Sequence, residues 1–150
     1  MRNLVFVLLT SMFLNSSIMA QKLTETLKGY FAIQTALAAD EFETARTSAQ
    51  NLLISLEEQE NQDKILNILN DYIKAEQIAD ARVSFYDLSQ ALISLLKEES
   101  PDSYENIFLA HCPMARKGKG AYWLQDSNAV ANPYYGASML RCGNTKPFSK

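Results

Sequence analysis

Ser100-Pro101 divides this chain into two kinds of backbone. Up to that point there is no proline and a single glycine, Gly29; all four prolines and the other four glycines lie in the last fifty residues. Proline and glycine break helices and punctuate turns. The first part is therefore free to be helical, and the second must change direction repeatedly.

Within the first part the apolar residues recur at three- and four-residue spacing, the period of a helix with one buried face. Leu23, Leu27, Tyr30, Phe31, Ile33 and Leu37 form one stripe. Asp40, with Glu43 three positions on, reads as the cap of a second helix whose stripe is Phe42, Ala45, Ala49, Leu52, Leu53 and Leu56. Polar residues from Glu57 to Gln62 end it. A third helix opens near Asp63 and carries Ile65, Ile68, Leu69, Tyr72 and Ile73. Between Ala75 and Ser84 it either continues or turns near Asp80 into a fourth, which carries Phe85, Leu88, Leu92, Leu95 and Leu96. That segment stops at Ser100-Pro101, because the residue before a proline disfavours the α region. Short polar joints between such helices give an antiparallel bundle of three to four helices. Burying each large apolar side chain contributes roughly 1.5–3 kcal/mol, so the stripes are explained as core.

The beginning of the chain has a different grammar. Arg2 is followed by an apolar run from Leu4 to Leu14, then polar Asn15 to Ser17, then Ile18-Met19-Ala20. This is the pattern of a cleaved secretory signal peptide over residues 1–20. The run is about half of the roughly 20 residues that span a bilayer. No cysteine precedes Cys112, so no lipoprotein is expected, and no later stretch is apolar enough to cross a membrane. The expected mature protein is a single exported, periplasmic, soluble domain, residues 21–150, with a helical bundle at 21–100 and a sulfur-rich segment at 101–150. Setting aside Arg2, 13 basic side chains face 17 acidic ones. Without a basic stripe, nucleic acid is not an expected partner.

After Pro101 the pattern becomes strand-like. Ile107, Leu109 and His111 alternate with Phe108 and Ala110; Gly118-Lys119-Gly120 supplies a turn; Ala121-Tyr122-Trp123-Leu124 resumes a β-prone run. A small β-hairpin follows from that spacing. Asn132-Pro133-Tyr134-Tyr135-Gly136 is a second turn signal. The fold class is thus mainly α, a bundle with a turn-rich C-terminal segment.

The soft donors of the mature chain gather in that segment: the only histidine, His111; both cysteines, Cys112 and Cys142; and Met114 and Met139. Each cysteine has a methionine two or three residues away. Thiolate and thioether sulfurs favour Cu(I), whereas zinc takes four ligands from Cys, His and carboxylates. Cu(I) is accordingly the expected ion, with Ag(I) or Zn as others the set admits. His111 is the weakest ligand, since neighbours in a strand point to opposite faces. Trp123, Tyr134 and Tyr135 would either shield an ion or simply pack. Two cysteines in an exported chain equally well form a Cys112–Cys142 disulfide, closing a loop of about 31 residues and stabilising by roughly 3–4 kcal/mol.

His-Cys-Pro-Met-Ala at 111–115, Gly-Ala-Tyr-Trp-Leu at 120–124, Asn-Pro-Tyr-Tyr-Gly at 132–136 and Met-Leu-Arg-Cys-Gly at 139–143 resemble, in that order, one bacterial exported family. It is the domain of unknown function 3347, which occurs alone and fused to periplasmic adaptor subunits of heavy-metal (copper or silver) efflux pumps. Tyr30-Phe31, Ala36-Leu37, Asp40 and Phe42 are similar to its first helical block, and Arg82, Phe85, Leu88 and Ser89 to a later one. The resemblance implies a copper-handling context, with Cys112, Met114, Met139 and Cys142 at the ligand positions. His111 stands where the family often has an aromatic residue.

Two functions remain in view. One is an exported Cu(I)-binding protein, a chaperone or accessory that meets a periplasmic efflux adaptor or another copper-handling protein. The other is a helical interaction module without metal, stapled by the Cys112–Cys142 bridge. No enzyme is expected: there is no Ser-His-Asp order, no phosphate-binding glycine loop and no redox CxxC.

Overall fold

The computed structural model describes residues 21–57, 63–98 and 106–148. The leader expected at 1–20, the polar stretch at 58–62 and the helix stop at Ser100-Pro101 lie outside those residues.

Among the described residues four long helices form: α1 over 21–38, α2 over Phe42–Leu56, α3 over Asp63–Tyr72 and α4 over Ile78–Glu98. The stretch that admitted two readings breaks: α3 ends at Tyr72, the chain turns, and α4 begins at Ile78. The tightening bonds Lys74 N–H to Asp71 O (3.3 Å) and Ala75 N–H to Tyr72 O (3.1 Å) close off α3, as three-residue bonds do at helix ends. The predicted stripes are the buried faces. Ala45, Ala49, Leu52, Leu53 and Leu56 of α2 turn inward, as do Phe85, Leu88, Leu92 and Leu96 of α4. Helix α3 packs on both.

Asp40 does not cap α2, as its spacing from Glu43 suggested. The residue before α2 is Glu41, and it makes no side-chain cap. Asp40 instead ends α1 in the left-handed region (φ 61°), with Glu41 N–H on Ala36 O (2.9 Å) and Asp40 N–H on Leu37 O (3.3 Å). That pair of bonds is a Schellman stop, a position where glycine is usual. Its carboxylate is left to bind elsewhere: Oδ1 accepts from Arg82 Nη2 (2.6 Å) and Oδ2 from the Ala137 N–H (2.8 Å). Arg82 Nε also donates to Pro133 O (2.8 Å), and its Nη2 to Leu37 O (3.1 Å). One guanidinium therefore joins the end of α1, the start of α4 and the Asn-Pro turn.

The expected hairpin is present, with β1 at Phe108–Cys112 and β2 at Ala121–Gln125. A third strand, β3 at Asn144–Pro147, was not foreseen; it completes an antiparallel sheet of order β2-β1-β3. Ala110 faces Trp123 and Cys112 faces Ala121, while His111 lies between Tyr122 and Asn144. Strand β2 packs on α4. Aromatic rings fasten the two halves: Tyr30 stacks on Phe85 (5.2 Å), and Tyr134 lies 6.0 Å from Phe85 and 5.8 Å from Trp123. Tyr30 Oη shares a hydrogen bond with Ser89 Oγ (2.8 Å) and accepts from the Leu124 N–H (3.1 Å). Burial raises the Tyr30 hydroxyl above its ordinary pKa against those bonds, so it stays neutral.

The Asp40 contact carries a pH dependence. The Ala137 N–H first, then Arg82, hold the carboxyl below its usual value. A group whose folded pKa is lowered contributes stability above its unfolded pKa of about 4 and loses it as pH falls through the folded value. Asp40→Asn is expected to melt below the parent at pH 7, with the gap narrowing below about pH 4. Paired thermal melts from pH 7 to pH 2 check this; a gap that stays constant with pH would remove the ionised contact from the account.

Candidate metal centre

Cys112 is the last residue of β1, on the face that carries Ala110 into the core, and it is fully buried. Strand alternation places it there. Cys142 comes from the far end of the segment, where the chain turns before entering β3. Its N–H donates to Met139 O (3.0 Å) and its carbonyl accepts from Asn132 Nδ2 (2.9 Å). Asn132 is itself wholly buried; its N–H reaches Leu140 O (2.9 Å) and its Oδ1 takes the Tyr134 N–H (2.9 Å). This one amide side chain spends its polar atoms on building the turn that aims Cys142.

The two sulfurs, thirty residues apart in sequence, lie 2.8 Å apart, closer than unbonded sulfurs in van der Waals contact and farther than the roughly 2.05 Å of a disulfide. Close approach depends on Gly143. At φ 127° it lies against β1, where a Cβ would stand 2.5 Å from His111 O and 3.4 Å from Cys112 Cα. Only glycine fits both that conformation and that gap. The neighbouring Cys112 thiol, and then burial, push the Cys142 thiol above its ordinary pKa. Cys142 therefore keeps its proton at neutral pH, and metal loading has to release it.

The methionines lie beside this pair along the chain. Met114 follows β1 and is 53 % exposed; its carbonyl accepts from Tyr135 Oη (2.6 Å), which ties it to the Asn-Pro turn. Met139 ends the short 3-10 turn Gly136–Met139 and is half-buried. His111 is not brought to the thiols. It sits on the opposite side of β1, its ring stacked on Tyr122 at 4.2 Å. Among the described residues, no group of three or more His, Cys, Asp and Glu side chains converges as a metal cage. Trp123 and Tyr134 are buried in the core cluster that also includes Cys112, and Tyr135 packs against it, as ordinary packing requires.

Other residues do positioning work that sequence reasoning missed. The eight residues Pro113–Gly120 linking β1 to β2 contain Arg116, Lys117 and Gly118 at φ 54°, 60° and 82°. The guanidinium of Arg116 lies 3.5 Å over the Tyr86 ring of α4, and Gln90 of α4 donates to Tyr122 O (3.1 Å). Buried Gln34 on α1 donates to Ala131 O (2.7 Å), and buried Gln125 accepts from Trp123 Nε1 (3.1 Å). Turn signals marked Asn132, through the Asn-Pro dipeptide, and Gly118–Gly120; the buried glutamines carry none.

The family described as protein of unknown function (DUF3347) matches the chain over residues 26–104. The matched span holds most of the helical part and ends before Cys112, so the four sulfur and aromatic blocks lie beyond it. No curated protein and no solved structure matches the chain.

Proposed function

The chain belongs to the DUF3347 family, and on that premise we propose that its C-terminal segment is a soft-metal site, with Cu(I) as the preferred ion. The observation that carries this reading is the convergence of two cysteine sulfurs, 2.8 Å apart, from opposite ends of the segment. Cys112 and Cys142 are the anchoring ligands; Met114 and Met139, two and three residues from them in sequence, offer thioethers. The ion supplies no chemistry to a substrate in this reading; it is cargo. Thioethers select Cu(I) or Ag(I) over Zn, and the described residues add no third zinc-type ligand to the thiols. The protein is an exported chaperone or accessory that passes the ion to a periplasmic efflux adaptor.

One observation favours a second reading. Two thiolates on one ion, at the bond length of about 2.3 Å seen with zinc, lie nearly 4 Å apart, whereas these sulfurs are at 2.8 Å. Loading would open the pair by about 1 Å. The alternative is a Cys112–Cys142 disulfide that staples the tail to an interaction module. X-ray absorption at the copper edge of the reduced, Cu(I)-loaded chain separates the two. The expected result is a first shell of sulfur alone, retained in His111→Ala. A shell of nitrogen and oxygen would place copper elsewhere and leave the staple.

A further inference from the structure

The pair is asymmetric in a way that metal binding does not require. Cys112 is fully buried in the central strand of the sheet, while Cys142 is partly exposed on the turn leading to β3. Exchange between thiols and disulfides depends on which sulfur an incoming molecule can reach. Here Cys112 is fully buried and Cys142 is partly exposed, with the two sulfurs 2.8 Å apart. We propose that Cys142 and Cys112 form an ordered thiol–disulfide exchange site for small external disulfides, with Cys142 as the entry sulfur and Cys112 as the resolving one.

The steps balance as follows. Cys142 first gives up its proton, and the thiolate so formed attacks one sulfur of an external disulfide; that S–S bond breaks and one thiolate leaves with the bond's electron pair. The Cys112 thiolate then attacks Cys142 Sγ in the mixed disulfide and expels the second thiolate. Each departing thiolate takes up the proton that a cysteine gave up. The external disulfide is reduced to two thiols, and the protein pair is oxidised to one disulfide.

The backbone is already braced for the product. Disulfide sulfurs lie about 2.05 Å apart, so the pair has to close by less than about 1 Å. Register to Ala121 fixes Cys112, and Asn132 and Gly143 fix Cys142. The exchange stands without the metal reading. Its consequence, that oxidation closes the site to Cu(I) by consuming both thiolates, rests on that reading.

The test uses the fully reduced chain and an excess of glutathione disulfide, with thiols read by alkylation and mass spectrometry. The parent is expected to lose both thiols and gain no lasting adduct. Cys112→Ala, chosen because a buried hydroxyl would be left unpaired, should stall with one glutathione on Cys142. Cys142→Ser should react roughly tenfold more slowly at Cys112, in keeping with its burial; circular dichroism confirms that both variants are folded. A parent that keeps both thiols overturns the proposal, as does equal reactivity of the two variants. An anaerobic Cu(I) titration of the reduced parent separates the two ideas: binding by a chain that resists glutathione disulfide sinks the exchange and leaves the metal site standing.

Discussion

Trp123→Ala is expected to destabilise the protein by about 3–5 kcal/mol, the range for deleting a buried aromatic side chain, and to lower Tm by about 10–20 °C. The side chain is fully buried and is the largest of the core. It lies edge-on to Tyr134, and its indole N–H donates to Gln125 Oε1. Removing it leaves a cavity between the sheet and α4 and takes a donor from a buried amide. The same ring stands across from Ala110 on β1, two residues before Cys112. Loss of packing there should therefore show first in the C-terminal segment. Hydrogen exchange of the β1 and β2 amides should accelerate more than that of α2 and α3. Uniform acceleration would mean that the helices and the sheet unfold as one unit.

Gly136→Ala should have a comparable effect by another route, about 3 kcal/mol or more. At Gly136 the backbone is left-handed, and an added Cβ would collide with the Asp40 carboxylate. Left-handed backbone costs an L residue about 1–2 kcal/mol. The clash also expels Asp40 from its bonds to Ala137 and Arg82. Asp40 is 43 % exposed on its side chain, so losing those bonds is taken at only about 1–2 kcal/mol, the low end for charged partners. Gly118→Ala is the control: its φ is also positive, but a Cβ there meets nothing within 4 Å. It should lose only the backbone term. Chemical denaturation of both variants gives the comparison, and equal losses would show that the Asp40–Gly136 contact contributes nothing.

The contrast between these sites explains what the sequence could reveal. Stripes such as Ala45, Ala49, Leu52 and Leu56 were legible because helical periodicity is a local property that burial merely uses. The hairpin was legible for the same reason, since alternation and a Gly-Lys-Gly turn are local. Asp40 was misread because Asp-x-x-Glu suits a helix start, while the decisive partners, Ala137 and Arg82, are 97 and 42 positions away. Strand β3 escaped because Asn144-Thr145-Lys146-Pro147 is polar and contains a proline, which an edge strand tolerates. The thiol pair was anticipated from composition, and the opposite facing of His111 from strand alternation. The brace that aims Cys142, built from Asn132 and Gly143, depends on tertiary contacts that no spacing encodes.

The structure thus joins a helical family domain to a sheet whose strand end and following turn bring two sulfurs together. Competition titration of the reduced chain with Cu(I) against a colorimetric Cu(I) chelator tests that site most directly, with thiols counted beforehand and Cys112→Ala, Cys142→Ser run alongside. The account predicts one Cu(I) withdrawn from the chelator per chain and none by the double variant. A reduced chain with both thiols free that withdraws no copper, or a double variant that binds as the parent does, would contradict it.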